Sequence, residues 1–213
     1  CSDYLADCFE NAPMVDATVA HELVRAMPPS GALMVSSSMP LRELEAFGVP
    51  RGEPLAVFCN RGLNGIDGVV STAAGVSVAH DGATALLIGA VALAHDLGAL
   101  QLGQRLQTKL TIVVVDNGGG AIFDHLPVAG MQPMFARHFT TEPGLNWEAA
   151  AGLFNIEVST ATTRAELSLA LRQSFDTPGM KLIVVRTDRE EAKAFRDETL
   201  ANFRPLKTEQ AGG

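Results

Sequence analysis

The 213-residue chain carries 16 Lys and Arg against 24 Asp and Glu, a formal charge of −8, and is 47% hydrophobic but only 6% aromatic. That size suits one large α/β domain, or a domain with a tail, with a core built from Val, Ile, Leu and Ala. The acidic balance and the lack of any basic run argue against sequence-independent nucleic-acid binding, and no apolar run nears the ~20 residues that span a bilayer.

Residues 1–14 have mixed polarity and read as a linker or a short helix from a preceding domain. The chain opens at Cys1 with no signal-peptide pattern, and its first stretch reads as the end of something longer, so a piece of a larger protein is expected. Cys1, Cys8 and Cys59 are odd in number and lack metal-type spacing, which fits free thiols in a reducing, cytoplasmic setting. Asp16 as N-cap and Pro28-Pro29 as a stop predict a helix over about 17–27. Five short apolar runs follow, "ALMVS", "LAVFC", "TALLIG", "LTIVVVD" and "MKLIVVRTD", without clear alternation, as expected of strands covered on both faces. Helical patterns separate them: "MPLRELEAF", "GIDGVVSTAAGVSVAH", "ALAHDLGALQLGQRLQ" and "RAELSLALRQSF". This alternation predicts an α/β fold, doubly wound, with a mostly parallel sheet and helices on both faces. The charged stretch from Asp188 is expected to be helical as far as Phe203 and frayed beyond it.

Open parallel sheets bind ligands past the carboxyl ends of their strands. The segments there are "SSSMPLR" (36–42), "NRGLNGIDG" (60–68), "GAVALAHD" (89–96) and "DNGGGAIF" (116–123). In the last, an Asn oxygen and a free glycine carbonyl are hard ligands suited to Mg²⁺ or Ca²⁺, although for a glycine cluster taken alone an ordinary strand-to-helix turn is the favoured reading. The spacing is not that of a dinucleotide fingerprint. Arg61, at a strand end before a glycine, is placed to meet an anion. Ser38 is a candidate N-cap with Pro40 in the first turn, and Arg42 near that helix start would be offset by an anionic ligand or by Glu45. Gly68, Ala73, Ala74 and Gly75 would let their helix pack closely on a neighbour. His95 and Asp96, adjacent on a helix, do not face each other as an acid–base pair, and hydrolase motifs are absent. His80, His95, His125 and His138 are expected to be structural.

Taken together, "NRGLNGIDGVVSTAAG", "LLIGAVALAHDLGAL" and "IVVVDNGGGAIFDHLP" resemble, in order and spacing, the C-terminal diphosphate-binding domain of thiamine-diphosphate (ThDP) enzymes, and within them the synthases of menaquinone biosynthesis. The resemblance runs from about residue 16 to 190. It implies a linker or domain end over 1–15, a diphosphate-binding domain over 16–190 and a terminal helix and tail over 191–213. It further implies ThDP and Mg²⁺ as cofactors, with Asn117 and the Gly119 carbonyl as metal ligands and Gly89, Ala90, Val91, Ala92 and Gly120 along the diphosphate. Ile66, Ile122, Phe123 and Leu126 fall at apolar positions around the cofactor and substrate. Ser38, Arg42 and Arg61 resemble the residues that hold the substrate carboxylates, as Arg forks do. The implied reaction takes two small molecules: 2-oxoglutarate loses CO₂, and the remaining succinyl unit adds to isochorismate.

Two departures stand out. Ala90 occupies the position of the family's metal-binding Asp, and Ala92 a position where relatives often carry a hydroxyl. Asp116, one residue before Asn117 on a strand, should point the other way and not replace the lost ligand. The catalytic Glu of these enzymes lies in a pyrimidine-binding domain, on the same parent chain or a separate one, so the 213 residues alone are expected to be inactive. A homodimer or larger assembly is the family expectation. The alternative is a degenerate domain with a structural or regulatory role that no longer binds metal; an unrelated flavodoxin-like domain would require three ordered coincidences.

Overall fold

The computed structural model describes residues 2–60 and 65–203. In chain order the elements are α1 (Ser2–Glu10), α2 (Asp16–Ala26), β1 (Ala32–Val35), α3 (Met39–Phe47), β2 (Ala56–Cys59), α4 (Val69–Ala79), β3 (Thr84–Gly89), α5 (Ala90–His95), α6 (Ala99–Leu106), β4 (Leu110–Asp116), α7 (Met134–His138), α8 (Trp147–Gly152), β5 (Glu157–Ala161), α9 (Arg164–Asp176), β6 (Lys181–Arg186) and α10 (Arg189–Asn202). Single 3₁₀ turns at Ala121–His125 and Pro127–Gly130 follow β4.

The strands form one sheet in the order β2-β1-β3-β4-β6-β5. Every neighbouring pair is parallel, with Leu33 opposite Ala85, Ile88 opposite Val114 and Val114 opposite Val184. Side chains alternate across the sheet, and the strand residues divide accordingly between two cores. Met34, Leu86, Ile88, Ile112, Val114 and Val184 pack under α4, α5, α6 and α8. Leu33, Val35, Leu87, Val113, Val115 and Val185 pack under α2 and α9. Burying each such Leu, Ile or Val contributes roughly 1.5–3 kcal/mol relative to exposure. The doubly wound fold expected from the alternating pattern is therefore present.

Several local expectations are corrected. β2 is an edge strand, and Val57, Phe58 and Cys59 are exposed, so it is not covered on both faces as the other apolar runs are. A sixth strand, β5, joins the opposite edge. Its sequence EVSTA is mostly polar and offers no apolar run to read. The long pattern over 92–107 is two helices, broken at Asp96–Gly98. Val15 is the N-cap of α2, and Asp16 is the helix's first residue. Gly75 is exposed with open space around it, so only Ala73 and Ala74 serve close packing on α4. The opening residues form α1, whose Phe9 is buried against Phe47 and Phe195, and α10 runs to Asn202, one residue short of the expected end at Phe203, while the tail beyond Phe203 lies outside the described residues. Among the described residues no helix is long and apolar enough to cross a membrane.

Candidate functional site

The strand order reverses direction between β1 and β3, because β1 sends the chain outward to β2 while β3 continues the other way. At such a switch point the loops leaving two adjacent strands diverge and open a crevice. Here that crevice has a volume of about 320 Å³ and is lined by 37–40 after β1, Ile66, 89–92 after β3, and Asn117, 119–123 and Thr141 after β4. A larger depression of about 620 Å³ lies among α1, α2 and α9. It is away from the strand ends, and its Arg164 is already engaged by Glu22 and the Phe9 carbonyl. The crevice is the better candidate on the position of its walls.

Two glycine-bearing turns shape the floor. Gly89 has an ordinary extended backbone, φ −81° and ψ 154°, and a Cβ there would meet nothing within 4 Å. Neither backbone nor packing demands glycine, so the missing side chain leaves space in the crevice. The turn after β4 is different in kind. Gly118, Gly119 and Gly120 all have positive φ, and a Cβ on Gly119 or Gly120 would strike the carbonyls of Thr140 or Phe139. Glycine is required there for the turn itself. It leads into the 3₁₀ turn that carries Ile122 and Phe123. Phe123 meets Phe139 edge to face, and Asp124 is held by both arms of Arg189 at 2.7–3.0 Å, which ties the turn to α10. On the opposite wall Ser38 has φ +76°, a region side-chain-bearing residues rarely occupy.

Asn117 is the polar centre. Its Nδ2 donates to Asp16 Oδ2 at 2.7 Å, and its Oδ1 accepts from the Gly119 N–H at 3.2 Å. Asp16 is 6% exposed and also accepts from the Thr187 hydroxyl at 2.6 Å. Burial pushes its carboxyl up, and the hydrogen bonds from Thr187 and Asn117 pull it back down. Beneath the crevice a space of about 20 Å³ is lined by Asp16, Glu43, Gly89 and Asn117. Glu43 is also buried. One oxygen pairs with Arg196 at 2.9 Å and the other has no partner. Desolvation pushes its pKa up to about 7 against the pull of Arg196.

Of the residues singled out in the sequence, Ser38, Ile66, Gly89, Ala90, Val91, Ala92, Asn117, Gly119, Gly120, Ile122 and Phe123 line this one crevice. Arg42 does not. It is exposed, and its Nη1 donates to the Ser38 carbonyl at 2.9 Å rather than to Glu45. Leu126, 49% exposed, also lies outside the lining. Arg61 falls outside the described residues. Asp116 turns away as expected, accepting from Trp147 Nε1 at 2.8 Å. Asp16, Glu43, Asp124 and Arg189 were not foreseen. Their partners lie far along the chain, and no local spacing announces them.

The lining leaves room for a ligand with an apolar part. Gly89 leaves open floor where a side chain would stand, and Ile66, Ile122 and Phe123 supply the apolar part. For a cation the donors are neutral, the Asn117 amide and the Gly119 carbonyl. The first turn of α5 has no acidic residue, Ala90 is 2% exposed, and no cluster of three His, Cys, Asp or Glu is present among the described residues. A dication here would draw its anionic ligands from the bound group itself.

The sheet order and this crevice define a doubly wound α/β domain with its candidate ligand site at the switch point. The profile of the family described as thiamine pyrophosphate enzyme, C-terminal TPP binding domain matches residues 45–185, and the chain belongs to that family. It is 41% identical over 191 residues to the 2-succinyl-5-enolpyruvyl-6-hydroxy-3-cyclohexene-1-carboxylate synthase of Rubrobacter xylanophilus, covering 90% of this chain and 33% of that protein. The synthase of the same name from Myxococcus xanthus is 42% identical over 173 residues, 80% of this chain and 29% of the relative. The chain thus spans about a third of the length of these relatives. The crystal structure of benzoylformate decarboxylase from Polynucleobacter necessarius shares the fold, with a TM-score of 0.63, 18% identity, and coverage of 81% of this chain and 33% of that one.

Proposed function

We propose that this chain is the diphosphate-binding domain of a menaquinone-pathway synthase that decarboxylates 2-oxoglutarate and joins the succinyl unit to isochorismate. The observation that carries the reading is the convergence of three separate post-strand segments, 37–40, 89–92 and Asn117 with 119–123, on one crevice at the β1/β3 switch point. The synthase names of the relatives support the choice of reaction. We take 16–190 as the diphosphate-binding unit, since the sheet and both cores lie within it. Residues 1–15 then lead in from a preceding domain, and 191–213 carry the rest of α10, which begins at Arg189, and the residues after it.

In this reading the floor at Gly89 through Ala92 faces the diphosphate of ThDP, and Asn117 and Gly119 offer oxygens to Mg²⁺. Ile66, Ile122 and Phe123 exclude water from the reacting centre. When bound, ThDP supplies an electron sink for loss of CO₂. Ser38 and Arg61 remain the candidates for the substrate carboxylates. Arg42 would reach them only by exchanging its bond to Ser38. The acid–base glutamate belongs to a pyrimidine-binding domain, supplied by the parent chain or a partner chain, so the 213 residues assayed by themselves are inactive. A homodimer or higher assembly in the cytoplasm accompanies the reading.

The full-length protein carrying this domain, given ThDP and Mg²⁺, is expected to consume isochorismate only when 2-oxoglutarate is present, with release of CO₂. Consumption of neither substrate would overturn the assignment. One observation favours a second reading, a degenerate domain with a structural or regulatory role: the first turn of α5 holds Ala90 and Ala92 and no charge. That reading requires that ThDP binding, if any, be indifferent to Mg²⁺.

A further inference from the structure

We infer that Asp16 is a positioning residue for Asn117, its buried carboxylate fixing which way the Asn117 amide faces and so presenting the amide oxygen at the crevice. The inference rests on the reading of that crevice as the ThDP and cation site.

An Asn side chain is nearly symmetric in shape but not in chemistry, since one end only donates and the other only accepts. Asn117 has a partner at each end. Nδ2 lies 2.7 Å from Asp16 Oδ2, and Oδ1 lies 3.2 Å from the Gly119 nitrogen. A carboxylate accepts and a backbone N–H donates, so both partners select the same orientation. Rotating the amide by half a turn would set oxygen against carboxylate and NH₂ against N–H, losing both bonds at once. Only the oxygen end is a ligand for a hard cation.

Asp16 is itself held. Thr187, just past β6, donates to its other oxygen at 2.6 Å, and the residue opens α2, where the positive end of the helix favours a carboxylate. The bond joins positions 101 residues apart, linking the helix before the first strand to the end of the fourth. Polarisation through this bond makes the far oxygen a better donor to a metal. Because Ala90 contributes no charge, Asp16 places a carboxylate one hydrogen bond behind the ligand oxygen.

The test compares the wild-type chain with Asp16→Leu, which fills similar space but offers no acceptor, and with Asp16→Asn, whose amide oxygen can still accept from Asn117 while its NH₂ donates to the Thr187 hydroxyl. ThDP binding is measured calorimetrically with and without Mg²⁺, thermal unfolding confirms folding, and the Asn117 side-chain amide protons are followed by NMR, assigned through Asn117→Ser. The Mg²⁺-dependent affinity is expected to fall about 10- to 100-fold in Asp16→Leu and less in Asp16→Asn. The Asn117 amide signal is expected to shift in both variants, and to exchange faster with solvent in Asp16→Leu. Equal Mg²⁺-dependent affinity in wild type and Asp16→Leu would overturn the inference, as would an Asn117 signal unmoved in both variants. Failure of the wild type to bind ThDP at all would instead remove the reading of the crevice, and the NMR result would still decide whether Asp16 orients Asn117.

Discussion

The carboxylate of Asp96 lies 2.7 Å from the backbone nitrogen of Val70 and 3.4 Å from that of Ser71, capping the start of α4 from a different helix. α4 has no side-chain cap of its own, since Gly68 stands at its N-cap in the left-handed region. Asp96 therefore satisfies donors that the first turn leaves open, on the helix that follows the segment bearing Ile66. Asp96→Ala is expected to destabilise the chain by about 0.5–2 kcal/mol in urea unfolding. An unchanged midpoint would show that water caps α4 equally well.

Gly89 separates fold from function. Because its backbone is ordinary and nothing lies within 4 Å of an added Cβ, Gly89→Ala should leave stability unchanged or raise it by about 0.4–1 kcal/mol. The new methyl nevertheless occupies the crevice floor, so ThDP binding should weaken. Thermal unfolding and calorimetry on one preparation check both halves. A variant that binds as tightly as wild type would place the ligand elsewhere.

Ala90 begins α5, 2% exposed. Ala90→Asp is expected to strengthen Mg²⁺-dependent ThDP binding about tenfold or more, because it adds an anionic ligand beside Asn117. Without the metal the same variant should be less stable by about 1–3 kcal/mol, since the new carboxylate is buried without a partner. Unfolding with and without Mg²⁺ and ThDP measures both effects, and an affinity equal to wild type would mean that Ala90 does not face the cation.

Glu43 gives the fold a pH dependence. Its pKa stands near 7 against an ordinary 4.5, so the folded chain binds this proton more tightly than the unfolded one. Stability from this group is full below pH 4.5 and is lost as the pH rises through 7, a change of about 3 kcal/mol. Asp16 and Arg196 act on it directly, and Asp124, His125, Arg189 and Lys193 surround the adjoining space. Glu43→Gln should lack this slope. Parallel stability curves for wild type and Glu43→Gln between pH 5 and 8 would contradict the assignment.

Five of the six strands were legible as apolar runs: β1, β3, β4 and β6 because both their faces are covered, and β2 although Val57, Phe58 and Cys59 on it are exposed. β5 was not, because an edge strand of sequence EVSTA needs few apolar residues. The break between α5 and α6 was hidden by a hydrophobic period that runs on through it; at the break Asp96 caps α4, a tertiary contact that no local pattern announces. The crevice was legible for the same reason the strands were: each of its walls is the segment that follows an apolar run. What joins those walls was not. The bond between Asp16 and Asn117, and the tie between Asp124 and Arg189, connect residues 101 and 65 positions apart, and nothing local distinguishes them from surface charges.

The central claim is that the β1/β3 crevice holds ThDP. Titrating the chain with ThDP, with and without Mg²⁺ and with a pyrimidine-binding domain from a relative, tests it most directly. The expected result is saturable binding that strengthens with Mg²⁺ and is weakened by Gly89→Ala. No binding under any of these conditions, or binding indifferent to Gly89→Ala, would contradict it.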